Sequence, residues 1–203
     1  MMELWLLRHG ATRGNELRNY VGRGTDEPLS PKGSEQCARL GVYPQIERVY
    51  VSPLIRARQT AERCFPHAEM LVVPGLEEFD FGVFEGRNAD QMVSDVAYRA
   101  WVDGGCMGRC PEGESREVFV RRSNEALVSL LIGAERRGEQ SVIVVAHGGT
   151  IMAALHGLAQ MPAPGDDYYG WHVDPCEGYR VTVRLAGESV QLEDPQRIAT
   201  LLR

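Results

Sequence analysis

The chain has 203 residues, 43% of them hydrophobic, which is enough for one sizeable core, and no Ser/Gly-rich or Pro-rich linker divides it. Its 22 Lys and Arg against 28 Asp and Glu leave a net charge of -6, which argues against a nucleic-acid or anionic-membrane partner; an anion would have to bind in a locally basic pocket. The longest apolar stretches, Ser141 to Ala146 and Ile151 to Leu155, fall far short of a membrane span, and Met1 to Leu7 lacks a signal peptide's basic start and cleavage pattern, so the chain reads as cytoplasmic.

In chain order, Glu3 to Leu7 is a short apolar run that reads as a strand. Ser30-Pro31 puts a capping side chain before a proline suited to the first helical position and opens a helix to about Leu40. Arg48 to Val51 reads as the second strand, Ser52-Pro53 opens a helix to about Cys64, and Met70 to Val73 reads as the third strand. The segment from Arg87 to Gly113 has the weakest pattern and reads as an inserted flap. An amphipathic helix spans roughly Ser115 to Arg137, with Phe119, Ser123, Leu127 and Leu130 on one face and Gly138 as its stop. Ser141 to Ala146 reads as a buried strand, Tyr179 to Leu185 pairs with Ser189 to Leu192 across Gly187 as an antiparallel edge, and Asp194-Pro195 opens a last helix to about Leu202. Strands alternating with helices predict one α/β domain over 1–203, a three-layer sandwich whose central sheet is mostly parallel, with a flap over about 87–113.

Five cysteines at Cys37, Cys64, Cys106, Cys110 and Cys176 form no C-x-x-C pair and stand with no histidines at zinc spacing, so they read as reduced structural thiols; no metal site and no cofactor are expected. The chemistry concentrates elsewhere. Leu6-Leu7 runs into Arg8-His9-Gly10, and Val144-Val145-Ala146 runs into His147-Gly148-Gly149. Ligands of open α/β sheets bind outside the carboxyl ends of strands, so both histidines stand where catalytic residues tend to sit. Glycine beside each imidazole lets backbone N–H groups approach an anion, and the helix that follows Gly148-Gly149 presents an N-terminus that favours negative charge. The basic helix Ser52 to Thr60 also follows a strand directly, so one of its arginines can reach the same crevice.

These motifs resemble the histidine phosphatase superfamily, also called phosphoglycerate mutase-like. The pattern is carried by Arg8-His9-Gly10 with Thr12 and Asn15, by Tyr20-Val21-Gly22 with Pro28-Leu29-Ser30 and Gly33, and by Ser52-Pro53 with Arg58-Gln59-Thr60. It continues through Leu76 to Gly82 with Glu85-Gly86, Gly113-Glu114-Ser115 and Ala146-His147-Gly148. The resemblance implies that His9 is the phosphorylated nucleophile, that Arg8 and Arg58 clamp the phosphoryl oxygens, that His147 completes the pocket and that Glu78 is the proton donor. Asn15, the backbone around Gly22 and Gly148 would supply further contacts to the phosphate. Among residues alone, Glu77, Asp80 and Glu85 compete with Glu78; Glu78 is chosen because it falls two residues after Leu76 and four before Gly82, as the family's acid does.

The superfamily contains phosphatases and mutases, which share the phosphohistidine step and differ in whether water or a second hydroxyl accepts the phosphoryl group. Mutases resembling this chain carry adjacent arginines between the acid and the second histidine, where Phe79 to Gly113 offers only the separated Arg87, Arg99 and Arg109. The expectation is therefore a metal-independent phosphomonoesterase of a small phosphorylated metabolite, closest in look to α-ribazole-5'-phosphate phosphatases. A cofactor-dependent phosphoglycerate mutase is the alternative, and a catalytically silent phosphate-binding protein is the third reading. Substrate choice should lie in the flap and in the aromatic run Tyr168-Tyr169-Gly170-Trp171, whose rings could stack on a base or simply pack the core.

Overall fold

The computed structural model describes residues 1–159 and 168–199. Six strands form one sheet in the order β3-β2-β4-β1-β5-β6. β1 (Met2–Arg8), β2 (Arg48–Val51), β3 (Glu69–Val72) and β4 (Ser141–Ala146) are mutually parallel, while β5 (Gly178–Ala186) and β6 (Ser189–Ile198) add an antiparallel edge. The α/β class, the mostly parallel sheet and its antiparallel edge are as the sequence predicts.

Two-residue periodicity makes the three layers. Along β1, Leu4 and Leu6 face one side of the sheet and Trp5 and Leu7 the other, all buried. The first side packs against Leu127, Leu130, Leu131 and Ala134 of α5 (Arg116–Arg136) and Ile151, Ala154 and Leu155 of α6 (Gly148–Leu158). The second packs against Cys37 and Leu40 of α2 (Pro31–Leu40) and Ala57, Ala61 and Cys64 of α3 (Ile55–Cys64). A one-turn helix, α1 (Arg13–Glu16), follows the β1 loop. α2 and α5 start as expected: the side chain of Ser30 accepts from Gly33 N–H and that of Ser115 from Val118 N–H.

Three expectations are corrected. α3 begins at Ile55, two residues after the proline, and carries no side-chain cap. Ser52, expected as that cap, turns its hydroxyl to His147 instead. Asp194-Pro195 does not open a helix, because both residues are inside β6, beside the register shift between Arg180 and Thr182 of β5. Asp194 takes a left-handed φ of 51°, and an irregular stretch of an outer strand tolerates a proline that cannot donate to the ladder. The expected end of that helix, at Leu202, lies outside the described residues. The span 87–113 has more structure than its pattern suggests. It holds α4 (Val96–Asp103), whose Tyr98 and Trp101 are buried with Phe79, Phe84 and Phe119 in a separate aromatic cluster. Among the described residues, no helix is long and apolar enough to cross a membrane.

Leu131 is fully buried where α5 meets the sheet. Leu131→Ala should lower the free energy of unfolding by about 2–5 kcal/mol through lost burial and the cavity left behind. Urea titration checks this, and a loss near zero would mean that α5 does not dock there.

Candidate active site

β1 and β4 are adjacent and in parallel register, with Arg8 opposite Ala146, so the next residue of each strand, His9 and His147, emerges at the same height. Their ring centroids are 5.0 Å apart at an interplanar angle of 62°, and both side chains are shut off from solvent. The backbone pins the first imidazole: Nδ1 of His9 lies 2.6 Å from the carbonyl oxygen of its neighbour Gly10, to which it donates. With that proton on Nδ1, the lone pair of Nε2 is free to act, and Nε of Arg56 donates to it at 3.2 Å. Gly10 is required by contact, since a Cβ there would press on the Gly33 carbonyl oxygen at 2.7 Å.

The arginine of α3 that enters the pocket is Arg56, and Arg58, expected from the sequence as the clamp, is exposed on the opposite side of the helix. Helical phase explains the difference. The buried stripe of α3 is Arg56, Ala57, Thr60, Ala61 and Cys64, and Arg58, two residues on from Arg56, points about 200° around the axis. The apolar positions Ala57, Ala61 and Cys64 were legible and put Arg56, four residues before Thr60, on the inner face. The Arg56 guanidinium is completely buried and donates to the carbonyls of Thr25 (2.8 Å), Gly22 (3.0 Å) and Val21 (3.4 Å) as well as to His9. Gly22 thus acts through its carbonyl, holding Arg56. A side chain there would strike the Phe79 carbonyl and Glu85.

Arg8 donates from Nη1 to the Val173 carbonyl at 2.6 Å, while its Nε is buried with no partner among the described residues. Burial pulls the guanidinium groups of both Arg8 and Arg56 down from their ordinary value, and the negative charge of Glu78 acts against that shift in each. Arginine stays charged through such shifts, so two cations converge on one small volume. His147 presents Nε2 to the Ser52 hydroxyl at 2.7 Å, and its Nδ1 is buried with no partner among the described residues. The Ser52 oxygen also accepts the Leu54 N–H at 3.4 Å. With Ser52 donating to Nε2, the Nδ1 proton of His147 becomes an unspent donor beside His9. Gly148 brings the start of α6 against Arg8, whose guanidinium carbon would lie 3.4 Å from an added Cβ.

Burial holds both imidazoles well below their usual value. Arg56 adds to this for each, followed by Arg8 for His9 and by His9 and then Arg8 for His147. Glu78 is fixed by two backbone donors, Gly149 N–H on Oε2 at 2.9 Å and Phe79 N–H on Oε1 at 2.8 Å. Gly149 leaves room for it, since a Cβ there would collide with the carboxylate. Of the competing carboxylates, Glu77 accepts from Gly75 N–H, Asp80 from Gly82 N–H, and Glu85 from Gly24 N–H and the Thr25 hydroxyl. Asn15 is partly committed: its Oδ1 accepts the Thr12 N–H in a capping box at α1, which leaves the Nδ2 amide as its donor.

Beyond Glu78 and Gly149 opens a cavity of about 230 Å³. Its walls include Tyr20, Phe81, Trp101, Phe119, Tyr168 and Tyr169. Arg116 lies over the Tyr168 and Tyr169 rings at 4.7 and 5.1 Å and donates to the Tyr169 hydroxyl at 2.6 Å. Trp171 is not among the walls; it is buried in the main core against Tyr179. Sequence reasoning did not identify Arg56, Ser52, Arg116 or the Phe79-Phe81 pair as parts of the site. Ser52 was hidden by its resemblance to a helix cap, and the aromatics by their resemblance to core packing.

Comparison with known proteins gives a consistent picture. The family model of the histidine phosphatase superfamily (branch 1) matches residues 4–193. A relative from Escherichia fergusonii, described as "Probable phosphoglycerate mutase GpmB", is 32% identical over 168 residues, covering 78% of this chain and 76% of the relative. Among solved structures, the alpha-ribazole phosphatase from Shigella flexneri superposes with a TM-score of 0.74 at 25% identity, covering 94% of each chain. A phosphoglycerate mutase from Thermus thermophilus superposes with a TM-score of 0.66 at 31% identity, covering 89% of this chain and 92% of that one.

The depressed imidazoles set a pH signature. His9 and His147 should stay neutral through the pH range in which an ordinary imidazole, with a value of about 6.5, takes up its proton. Unfolding exposes them to ordinary protonation, so below about pH 6.5 the unfolded chain binds more protons and stability falls as pH falls. Imidazole NMR titration of the folded protein checks this, and either ring titrating near 6.5 would contradict the packing described.

Proposed function

Because the chain belongs to the histidine phosphatase superfamily, we propose that it hydrolyses the phosphomonoester of a small metabolite with a flat aromatic end, α-ribazole 5'-phosphate being the first candidate. The observation that carries this reading is the pairing of a neutral, backbone-oriented His9 with the fully buried Arg56 and the half-buried Arg8, next to an aromatic cavity walled by the acid.

Glu78 takes a proton from the monoanionic phosphate ester as it binds; Nε2 of His9 then attacks phosphorus, the bond from phosphorus to the ester oxygen breaks, and Glu78 delivers that proton to the departing oxygen. Charge on the transferring group spreads over three oxygens, for which Arg8, Arg56 and the Nδ1 donor of His147 are placed. Arg56 can exchange its contact with Nε2 for a phosphoryl oxygen as the nitrogen becomes bonded. Water then attacks the phosphohistidine, giving its proton to the Glu78 carboxylate, and inorganic phosphate leaves. Each step is complete with protein groups and water, so a chelator should leave turnover intact.

Hydrolysis is favoured over transfer to a second hydroxyl because two of the three separated arginines of 87–113 have other attachments and Arg99 is exposed. Arg87 pairs with Asp95 and the Val83 carbonyl, and Arg109 donates to the Gly113 carbonyl. The mutase reading draws on the name of the Escherichia fergusonii relative and on Arg116, a guanidinium in the cavity wall that could meet a substrate carboxylate.

With EDTA present and no bisphosphorylated activator, α-ribazole 5'-phosphate should release inorganic phosphate. Conversion of 3-phosphoglycerate to 2-phosphoglycerate that needs 2,3-bisphosphoglycerate and releases little phosphate would replace this reading with the mutase. The two arginines of α3 give a second test: Arg56→Ala should slow phosphoenzyme formation by about 100-fold or more, whereas Arg58→Ala should stay within about two-fold of the parent. The reverse ranking in rapid-quench measurements would return the clamp to Arg58.

A further inference from the structure

The Leu76 to Phe81 segment carries Glu78 but belongs to no strand or helix. It lies between two left-handed glycines, Gly75 at φ 96° and Gly82 at φ 53°, so its carbonyls have no ladder to accept from. Those of Glu77 and Glu78 find donors on α5. Arg122 spends all five of its N–H groups here: Nη1 donates to the carbonyls of Gly75 (2.9 Å) and Glu77 (3.0 Å), and Nη2 to the carbonyl of Glu78 (2.8 Å). The remaining two form a fork on the Glu114 carboxylate, from Nη2 to Oε1 at 2.6 Å and from Nε to Oε2 at 3.0 Å. Glu114 carries the hold one residue further, accepting the Asp80 N–H at 2.9 Å and donating its own N–H to the Asp80 carbonyl at 3.0 Å. Both side chains are largely buried. The backbone on each side of the acid is therefore fastened to one guanidinium and one carboxylate, neither of which is in the phosphate pocket.

We propose that Arg122, together with Glu114, is a positioning residue for Glu78, setting the carboxyl where it meets the departing oxygen. The proposal rests on Glu78 acting as the acid. Arg122 meets Glu78 only at its main chain and makes no hydrogen bond to His9, Arg8 or Arg56 among the described residues, so its loss displaces the proton donor and reaches the phosphate pocket only through its charge, which also acts on His147. An acid misplaced by about an ångström loses most of its effect. A lysine cannot replace this group, because an ammonium supplies three donors from one point and cannot fork onto a carboxylate.

Phosphoenzyme formation is measured by rapid quench with two substrates, ribose 5-phosphate, whose alcohol needs a proton, and p-nitrophenyl phosphate, whose phenolate does not. Glu78→Gln, tested alone, reads the acid assignment. If its loss is the same for both substrates, that assignment fails and the positioning role falls with it. If Glu78→Gln is selective, Arg122→Met should slow the alkyl substrate by about 30-fold or more and the aryl substrate by less than about three-fold. Added to Glu78→Gln, it should cost the alkyl substrate less than about three-fold further, since an absent acid cannot be misplaced. Arg122→Lys should show the same selectivity, and Glu114→Gln supplies the comparison should Arg122→Met not fold. Equal losses on both substrates, or full additivity with Glu78→Gln, would make Arg122 a merely structural residue and overturn the proposal.

Discussion

A guanidinium withdrawn completely from water sits at the centre of this molecule, and the local architecture follows from the need to keep it there. Among the described residues, Arg56 has no carboxylate in direct contact. It is held by the carbonyls of Val21, Gly22 and Thr25, all in one short loop, and by one nitrogen of His9. Taking a lone cation out of water costs several kcal/mol even after relaxation, which only a dense set of acceptors and nearby negative charge can offset. The same arrangement that makes the site costly in isolation makes it receptive to an anion, since a phosphoryl group supplies the charge the protein withholds. It also suppresses protonation of both imidazoles, so electrostatics and nucleophilicity have a common origin.

Close backbone approach then assembles the rest. Gly10, Gly22 and Gly149 each stand where a methyl group would collide with a neighbouring carbonyl or with the Glu78 carboxylate. These contacts join elements distant in sequence: the β1 loop to α2, the Gly22 loop to the acid segment, and α6 to the acid itself. The phosphate pocket is consequently built on strand ends and helix starts, whereas the proton donor arrives on an irregular segment that must be tied down from α5.

Much of this was legible in the sequence, for identifiable reasons. Buried strands announce themselves by short apolar runs, so β1, β4 and the histidines at their ends could be read directly, and parallel pairing brought those histidines together. Ser30 could be read as a cap from the proline that follows it, and its side chain does cap α2. Ser52 could not, since whether a serine caps a helix or holds an imidazole depends on a partner 95 residues away. Arg56 and Arg58 are both flanked by motif residues, and choosing between them required the rotation of α3 against the sheet. Pro195 has the local signature of a helix start, but the long-range ladder with β5 overrides it. The aromatic cavity draws on residues from six separated stretches, a convergence that periodicity along the chain cannot express.

The two outer strands described here differ in a way that bears on how the sheet meets other chains. An exposed strand edge offers unpaired N–H and C=O groups to any extended segment nearby, and is the usual origin of strand-to-strand aggregation. At one end, β3 is only four residues long and leaves little ladder to extend. At the other, β6 runs for ten residues but is broken by Pro195, which has no N–H to give, and by the left-handed Asp194 beside it. The proline that misleads as a helix signal thus works as a gatekeeper, making the longer margin of the sheet a poor template for a foreign strand.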